Sequence, residues 1–68
     1  MATMLNTVEQ VITQLGGPRQ VAQLVNVGPS AISNAKKANR IPHPWRLAIY
    51  REAERRGLEI AAELIEAA

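Results

Sequence analysis

The 68-residue sequence predicts an all-α fold, a single-domain bundle of about five helices over residues 1–68, and both composition and patterning support this. The chain has no Cys, so neither disulfides nor thiolate metal sites can stabilise it. Apolar residues make up 47% of the sequence, yet Trp45 and Tyr50 are its only aromatic residues. A core of Val, Ile, Leu and Ala suits small packed helices, and we expect no sheet.

Residues 17–37 contain the clearest pattern, two short helices joined by a tight turn. When Ala22 is set as the fifth residue of a twenty-residue helix-turn-helix, five apolar residues fall on the inward-facing positions: Val21, Val25, Val27, Ile32 and Ala35. Asn26 occupies the turn position usually given to Gly, and Asn tolerates the left-handed conformation that such a turn needs. A helix-turn-helix is therefore predicted within the bundle.

The first helix precedes this motif and has local signals at both ends. Asn6 or Thr7 is its N-cap, and Asn6 followed by Glu9 approximates a capping box. The helix extends to Leu15, because the two glycines at 16 and 17 favour its termination.

Prolines mark the starts of the next three helices, because proline has no amide hydrogen to lose in a first turn. They are Pro18, Pro29 and Pro44. The fourth helix carries an apolar stripe that includes Trp45 and ends at Gly57. Trp45 has two interpretations, a base-stacking residue or a core residue, and its place on the stripe favours the core.

Residues 58–68 are interpreted as a fifth helix, apolar nearly all round except for Glu59, Glu63 and Glu66. A surface helix with so much apolar area must bury part of it against the domain or against a second subunit. The residues expected to aid dimerisation are Leu58, Ala61, Ala62, Leu64 and Ile65.

Charge is distributed unevenly, because residues 10–51 contain no acidic residue. The basic residues of this segment are Arg19, Lys36, Lys37, Arg40, Arg46 and Arg51. Such a segment favours a polyanion as partner, and nucleic acid is the most common polyanion for a helical module. The alternative is a basic face that is only solvated.

The third helix, from Pro29 to Lys37, has an unusual polar face. Ser and Asn lower helix stability relative to Ala, so Ser30, Ser33 and Asn34 need another reason to be there. Presenting short donors and acceptors to base edges is one such reason. The alternative is that they are simply tolerated polar residues.

The residue types needed for catalysis are missing. His43 has no second metal ligand and no nearby carboxylate, and there is no Cys nucleophile or phosphate-binding glycine motif. We expect no enzymatic activity, metal, cofactor or small-molecule ligand. No apolar stretch is long enough to span a membrane, and residues 1–6 lack the features of a signal peptide, so a cytoplasmic location is expected.

Part of this pattern resembles the motif of the Cro proteins of temperate phages and the related YdaS-like regulators, which are lambda-repressor-like DNA-binding domains. The similarity covers about half of the chain, from Gly17 to Pro42. It is carried by Gly17, Ala22, Val27, Ser30-Ala31-Ile32, Ala35 and Arg40-Ile41. Two features depart from the family: Gly28-Pro29 replaces common polar or aromatic residues, and an acidic helical tail replaces the C-terminal β-strand of some members.

The resemblance implies a small dimeric repressor that competes for operators and reads bases with its third helix. Carried over by position, it implies base contacts from Ser30, Ala31, Ser33, Asn34 and Lys37. It implies backbone contacts from Arg19, Gln20 and Arg40, to which the basic segment adds Lys36. It also implies the cytoplasm of a bacterium, in which the protein is bacterial or encoded by a phage.

The sequence is compatible with two functions from different classes. The first is a transcriptional regulator that binds a palindromic operator in double-stranded DNA as a homodimer, through residues 29–37. The second is an antitoxin-like or adaptor module that holds a protein partner with its apolar C-terminal helix. A steep salt dependence of DNA binding distinguishes them, because neutralised phosphates release counterions and apolar contacts do not.

Overall fold

The computed structural model describes residues 3–65, which are mostly helical and include a short two-stranded sheet. The α-helices of this range are α1 (Val8–Gln14), α2 (Pro18–Val25), α3 (Pro29–Ala38) and α4 (Arg46–Arg55). Strand β1 (Thr3–Leu5) pairs in parallel with β2 (Leu58–Ile60), and short 3₁₀ turns cover His43–Trp45 and Ala62–Leu64. The predominance of helix is confirmed, whereas the expected absence of a sheet is wrong.

One aliphatic core is shared by all four helices and both strands. Its buried residues are Leu5, Val8, Val11, Ile12, Leu15, Val21, Ile32, Ala35, Ile41, Ile49, Ala53, Ile60 and Leu64. Trp45 is half-buried and packs against them, as the core interpretation of this residue predicts. Burial of one large aliphatic side chain contributes about 1.5–3 kcal/mol, so each matters in a chain this short.

The turn between α2 and α3 has the predicted conformation. Asn26 adopts the left-handed conformation, with φ of 58° and ψ of 54°, and the Val27 amide donates to the Ala22 carbonyl at 2.9 Å. Pro18 and Pro29 are the first residues of the two helices. Of the five residues predicted to face inward, Val21, Ile32 and Ala35 are buried, and Val25 and Val27 are half-buried against the core. Their packing fixes the rotation of α3 about its axis.

The N-cap of α1 is one of the two residues predicted for that position. Thr7 is the N-cap, and its Oγ1 accepts a hydrogen bond from the Gln10 amide at 3.1 Å. The Gln10 Oε1 accepts in turn from the Asn6 amide at 2.8 Å. The capping interaction therefore joins Thr7 and Gln10, and the predicted box of Asn6 and Glu9 is wrong. Both pairs have the same spacing, so the sequence pattern alone cannot separate them.

Asn39 joins the end of α3 to the start of α1. It has a positive φ of 53°, and its Oδ1 accepts a hydrogen bond from the Val8 amide at 2.9 Å. Val8 is the first residue of α1, and amides of a first turn have no carbonyl partner within their own helix. The Asn39 side chain supplies that partner from a distant part of the sequence.

We expect Asn39→Gly to lower the free energy of unfolding by about 1 kcal/mol more than Asn26→Gly does. Both changes place Gly at a positive φ and add the same backbone freedom to the unfolded chain. Of the two asparagine side chains, however, only that of Asn39 accepts a hydrogen bond from another residue within the range 3–65. Urea unfolding of the two variants measures the difference, and equal losses would show that this hydrogen bond adds no stability.

Residues 58–65 do not form the predicted fifth helix. Gly57, at a φ of 72°, follows the end of α4, and the chain then extends as β2. Along this strand Leu58 is half-buried, Glu59 exposed and Ile60 buried, which is the alternation of a strand packed on one side. Its residues favour helix by propensity, but pairing with β1 and burial of Ile60 outweigh that preference.

Pairing continues beyond β2. The Ala61 amide donates to the Leu5 carbonyl at 3.0 Å, and the Ile41 amide donates to the Leu64 carbonyl at 2.6 Å. Ile41 also forms an isolated parallel bridge with Ile65. These bonds satisfy backbone groups that a helix would have paired internally. The end of the predicted helix, residues 66–68, lies outside the described residues.

The apolar stripe of α4 faces the core as predicted. Ile49 and Ala53 are each 1% exposed. The α-helix begins at Arg46 rather than at Pro44, because residues 43–45 form a 3₁₀ turn. None of the helices within residues 3–65 has the length and apolar content needed to cross a membrane.

One carboxylate and two arginines form hydrogen bonds at the C-terminal end of α4. Glu52 accepts hydrogen bonds from Arg55 Nη2 and Arg56 Nε, each at 2.7 Å. The hydrogen bond from Arg55 and, to a smaller extent, that from Arg56 lower the pKa of the Glu52 carboxyl group. Arg56 Nη1 also donates to the Gln14 carbonyl at 3.3 Å, which connects the end of α4 to the end of α1.

Candidate nucleic-acid interface

Helix α3 places its apolar and polar residues on different sides. Ile32 and Ala35 are 2% and 4% exposed and belong to the core. Four exposed polar residues are Ser30, Ser33, Asn34 and Lys37. Their spacing of three or four residues puts them on one helix face. Ala31, the fifth residue predicted to contact bases, is half-buried and offers less surface.

Every residue predicted to contact the DNA backbone is exposed: Arg19, Gln20, Lys36 and Arg40. Arg19 lies in the first turn of α2, Lys36 in the last turn of α3, and Arg40 just beyond it. The Gln20 side chain crosses Gly16, where a Cβ would lie 3.0 Å from Gln20 Cγ. Gly16, at a φ of 107°, therefore leaves room for this side chain.

The basic residues of α2 and α3 keep their charge unneutralised. Within residues 3–65, ion pairs involve only Glu52, Arg55 and Arg56 at the end of α4. Hydrogen bonding to Glu52 raises the pKa of Arg55 and so favours its charged form further. Within the same range, the cationic side chains beside the polar face of α3 therefore have no acidic partner.

A hollow of about 550 Å³ lies beside the turn between α2 and α3. It is lined by Pro18, Arg19, Ala22, Gln23, Asn26, Val27 and Pro29. Since Pro18 and Pro29 begin α2 and α3, the first turns of both helices border the same hollow. Arg19, the charged residue of this lining, therefore lies near the beginning of the polar face of α3.

Most of the residues predicted to aid dimerisation pack within the core of the chain itself or against it. Leu64 is 2% exposed and part of the core, so its assignment to a subunit interface is wrong. Leu58, Ala61 and Ile65 are half-buried against the same core, and only Ala62 is exposed. The physical reason is the strand pairing of this segment, which turns its apolar side chains inward.

A different apolar surface is exposed instead. Met4, Leu47 and Tyr50 are 49%, 65% and 37% exposed, and we call them the apolar patch. Met4 and Tyr50 border one shallow hollow of about 380 Å³, and Leu47 lies one helical turn before Tyr50 on α4. Sequence reasoning missed this patch, although Leu47 and Tyr50 lie off the buried stripe of α4 and could have indicated it.

Residues 3–65 contain no group of three or more His, Asp or Glu side chains placed to hold a metal ion. Comparison with protein-family models, characterised proteins and solved structures finds no match to this chain. The resemblance to Cro-like repressors therefore stays a prediction, and the function must be inferred from the geometry of α2 and α3.

Proposed function

We propose that this protein is a non-enzymatic, sequence-specific regulator of transcription that binds double-stranded DNA in the manner of a Cro-like phage or prophage repressor. In this proposal α2, its turn and α3 form a helix-turn-helix, and α3 is the recognition helix. The observation that carries it is the burial of Ile32 and Ala35, which leaves a continuous polar face of α3 in solvent.

The chemistry of that face suits the major groove, which admits an α-helix and displays a distinct donor and acceptor pattern for each base pair. The Asn34 amide can both donate to and accept from an adenine edge. Ser30 and Ser33 can serve several bases, and Lys37 can reach a guanine or a phosphate. Base discrimination is therefore assigned mainly to Asn34.

The flanking cations suit the sugar–phosphate backbone. Arg19 and Arg40 lie near opposite ends of the α2–α3 unit in sequence, and Lys36 occupies the last turn of α3. Backbone contacts fix register and orientation but carry no base information. We therefore assign to these residues a role in affinity for DNA and in positioning the protein on the duplex.

The C-terminal segment removes one departure from the Cro-like pattern. A helical tail was expected where some family members have a β-strand, but residues 58–60 form β2. The other departure acquires a structural explanation, because Gly28 is the N-cap of α3 and Pro29 is its first residue. The first observation supports the proposal, whereas the second explains the Gly28-Pro29 sequence without adding to the resemblance.

The alternative, an antitoxin-like or adaptor module, depended on an apolar C-terminal helix. Residues 58–65 form a strand and a 3₁₀ turn, and both Ile60 and Leu64 belong to the core. This alternative therefore loses the surface that motivated it.

Selection of bound sequences from a random duplex pool tests the proposed function directly. We expect a palindromic site with half-sites about one helical turn apart, because two recognition helices of a dimer then meet successive major grooves. Recovery of no shared sequence, together with unbound random DNA at low salt, would refute the proposal.

We expect the affinity for this site to depend steeply on salt through four exposed cations. The variant Arg19→Ala, Lys36→Ala, Lys37→Ala and Arg40→Ala should reduce the slope of log affinity against log salt by roughly one unit for each phosphate that is no longer neutralised. Titrations at several salt concentrations measure the slope. The physical reason is that fewer counterions are released when fewer phosphates are neutralised.

Arg55→Ala provides the matched control, since Arg55 is exposed but already paired with Glu52 and lies on α4. It should leave the slope unchanged. If the quadruple variant stays folded and keeps the wild-type slope, the basic segment is only a solvated face.

A further inference from the structure

A palindromic operator requires a two-fold symmetric protein, yet the residues predicted to form its interface lie largely in the core of the chain. The apolar patch is the large apolar surface that residues 3–65 leave exposed. It lies partly on the outer side of α4, away from the buried Ile49 and Ala53.

The outer side of α4 combines the patch with a self-complementary pattern of charge. Arg46, Tyr50 and Glu54 recur at intervals of four residues, so they form one ridge along the helix. All three are exposed, and within residues 3–65 neither Arg46 nor Glu54 forms an ion pair.

Two antiparallel copies of this ridge complement each other when they cross at Tyr50. Arg46 precedes Tyr50 by four residues and Glu54 follows it by four, so Arg46 of one copy lies opposite Glu54 of the second copy. The two-fold axis makes the same pair twice. Leu47 of one copy then lies level with the shallow hollow bordered by Met4, Tyr50 and Glu54 of the other.

We infer that α4 is the self-association surface of this protein, and that its occupant is a second copy packed antiparallel across Tyr50. The inference rests on the proposed function in one respect, since binding to a palindrome gives the dimer its purpose. Its structural support is independent of DNA, because it comes from the apolar patch and the charge order of α4.

The size of the surface indicates a weak dimer. A standard stable interface buries about 800 Å² per partner, which is roughly a sixth of the 4595 Å² surface of this chain. Three apolar side chains and two exposed ion pairs provide less. The dissociation constant of the dimer in solution should therefore be micromolar or higher. DNA should favour the dimer, because it holds two copies on adjacent half-sites.

Charge reversal tests the pairing. In Arg46→Glu, residue 46 of each copy faces the like charge of Glu54, and in Glu54→Arg, residue 54 faces Arg46. Each variant alone should associate at least about tenfold more weakly than wild type, because like charges directly opposed are destabilising. An equimolar mixture should recover dimer, since both cross-pairs are then of opposite sign. Sedimentation velocity across a concentration series measures all three samples.

Recovery in the mixture supports the inference and also shows that both variants are folded. A mixture that associates no better than its components would overturn it, as would a wild-type protein that stays monomeric up to about 1 mM. Titration of wild type with a single half-site duplex reports DNA binding without dimerisation. Failure of that titration counts against the proposed function alone, whereas failure of the mixture counts against the α4 surface alone.

Discussion

Leu64→Lys is expected to remove at least a large part of the stability of the fold. The Leu64 side chain is 2% exposed within the core, and its carbonyl accepts the hydrogen bond from the Ile41 amide. The change removes a buried aliphatic group and puts an unpaired ammonium in its place, at a cost above about 4 kcal/mol. A domain of this size is stable by only about 3–10 kcal/mol. Far-UV circular dichroism and urea unfolding measure the loss.

Leu47→Lys is the matched control, because it makes the same chemical change at a side chain that is 65% exposed. It should change the free energy of unfolding by no more than about 0.5 kcal/mol. If Leu64→Lys unfolded as cooperatively as the control and at a similar urea concentration, the C-terminal segment would not pack against the core. A loss of dimer in Leu64→Lys therefore says nothing about an interface, whereas a loss in Leu47→Lys does.

The central helices were predictable because their signals are local. Pro18 and Pro29 begin helices through a fixed φ and a missing amide hydrogen, and Asn26 ends α2 in the left-handed conformation. The inward register of α2 and α3 follows from helical periodicity within a few turns. Each of these features depends on residues close in the sequence.

The strand pairing could not be predicted in the same way. Strands β1 and β2 have three residues each and are separated by almost the whole chain, so neither shows enough alternation to be distinguished from helix. The Leu58–Ile60 segment continues into Ala, Glu and Leu, all good helix formers. Only the tertiary contact of Ile60 with the core, and the backbone bonds to β1, decide its conformation.

The exposed part of the candidate site was predictable for the same reason as α3 itself. Once Ile32 and Ala35 face inward, the helical period fixes which residues remain outside. Asn39 was missed because its hydrogen bond to Val8 joins residues far apart in sequence. Leu64 was assigned to an interface because an apolar side chain has the same sequence signature in a core as in a subunit contact.

Asn34→Ala is expected to lower affinity for the selected DNA site by about 1–3 kcal/mol per half-site. Asn34 is exposed on the same side of α3 as Ser30 and Lys37, and its amide can pair in two places with an adenine edge. Its effect on scrambled duplex should be much smaller, because base contacts contribute little to non-specific binding. Titrations on the two duplexes at one salt concentration measure the difference.

The fold should tolerate this change, since Ala has a higher helix propensity than Asn and the position is exposed. Arg19→Ala is the comparison for a backbone contact and should weaken binding to both duplexes alike. Comparison of the two variants thus separates base recognition from contact with the DNA backbone. Should folded Asn34→Ala lose equal affinity on the selected and scrambled duplexes, Asn34 contacts the backbone, and the exposed side of α3 does not read bases through this residue.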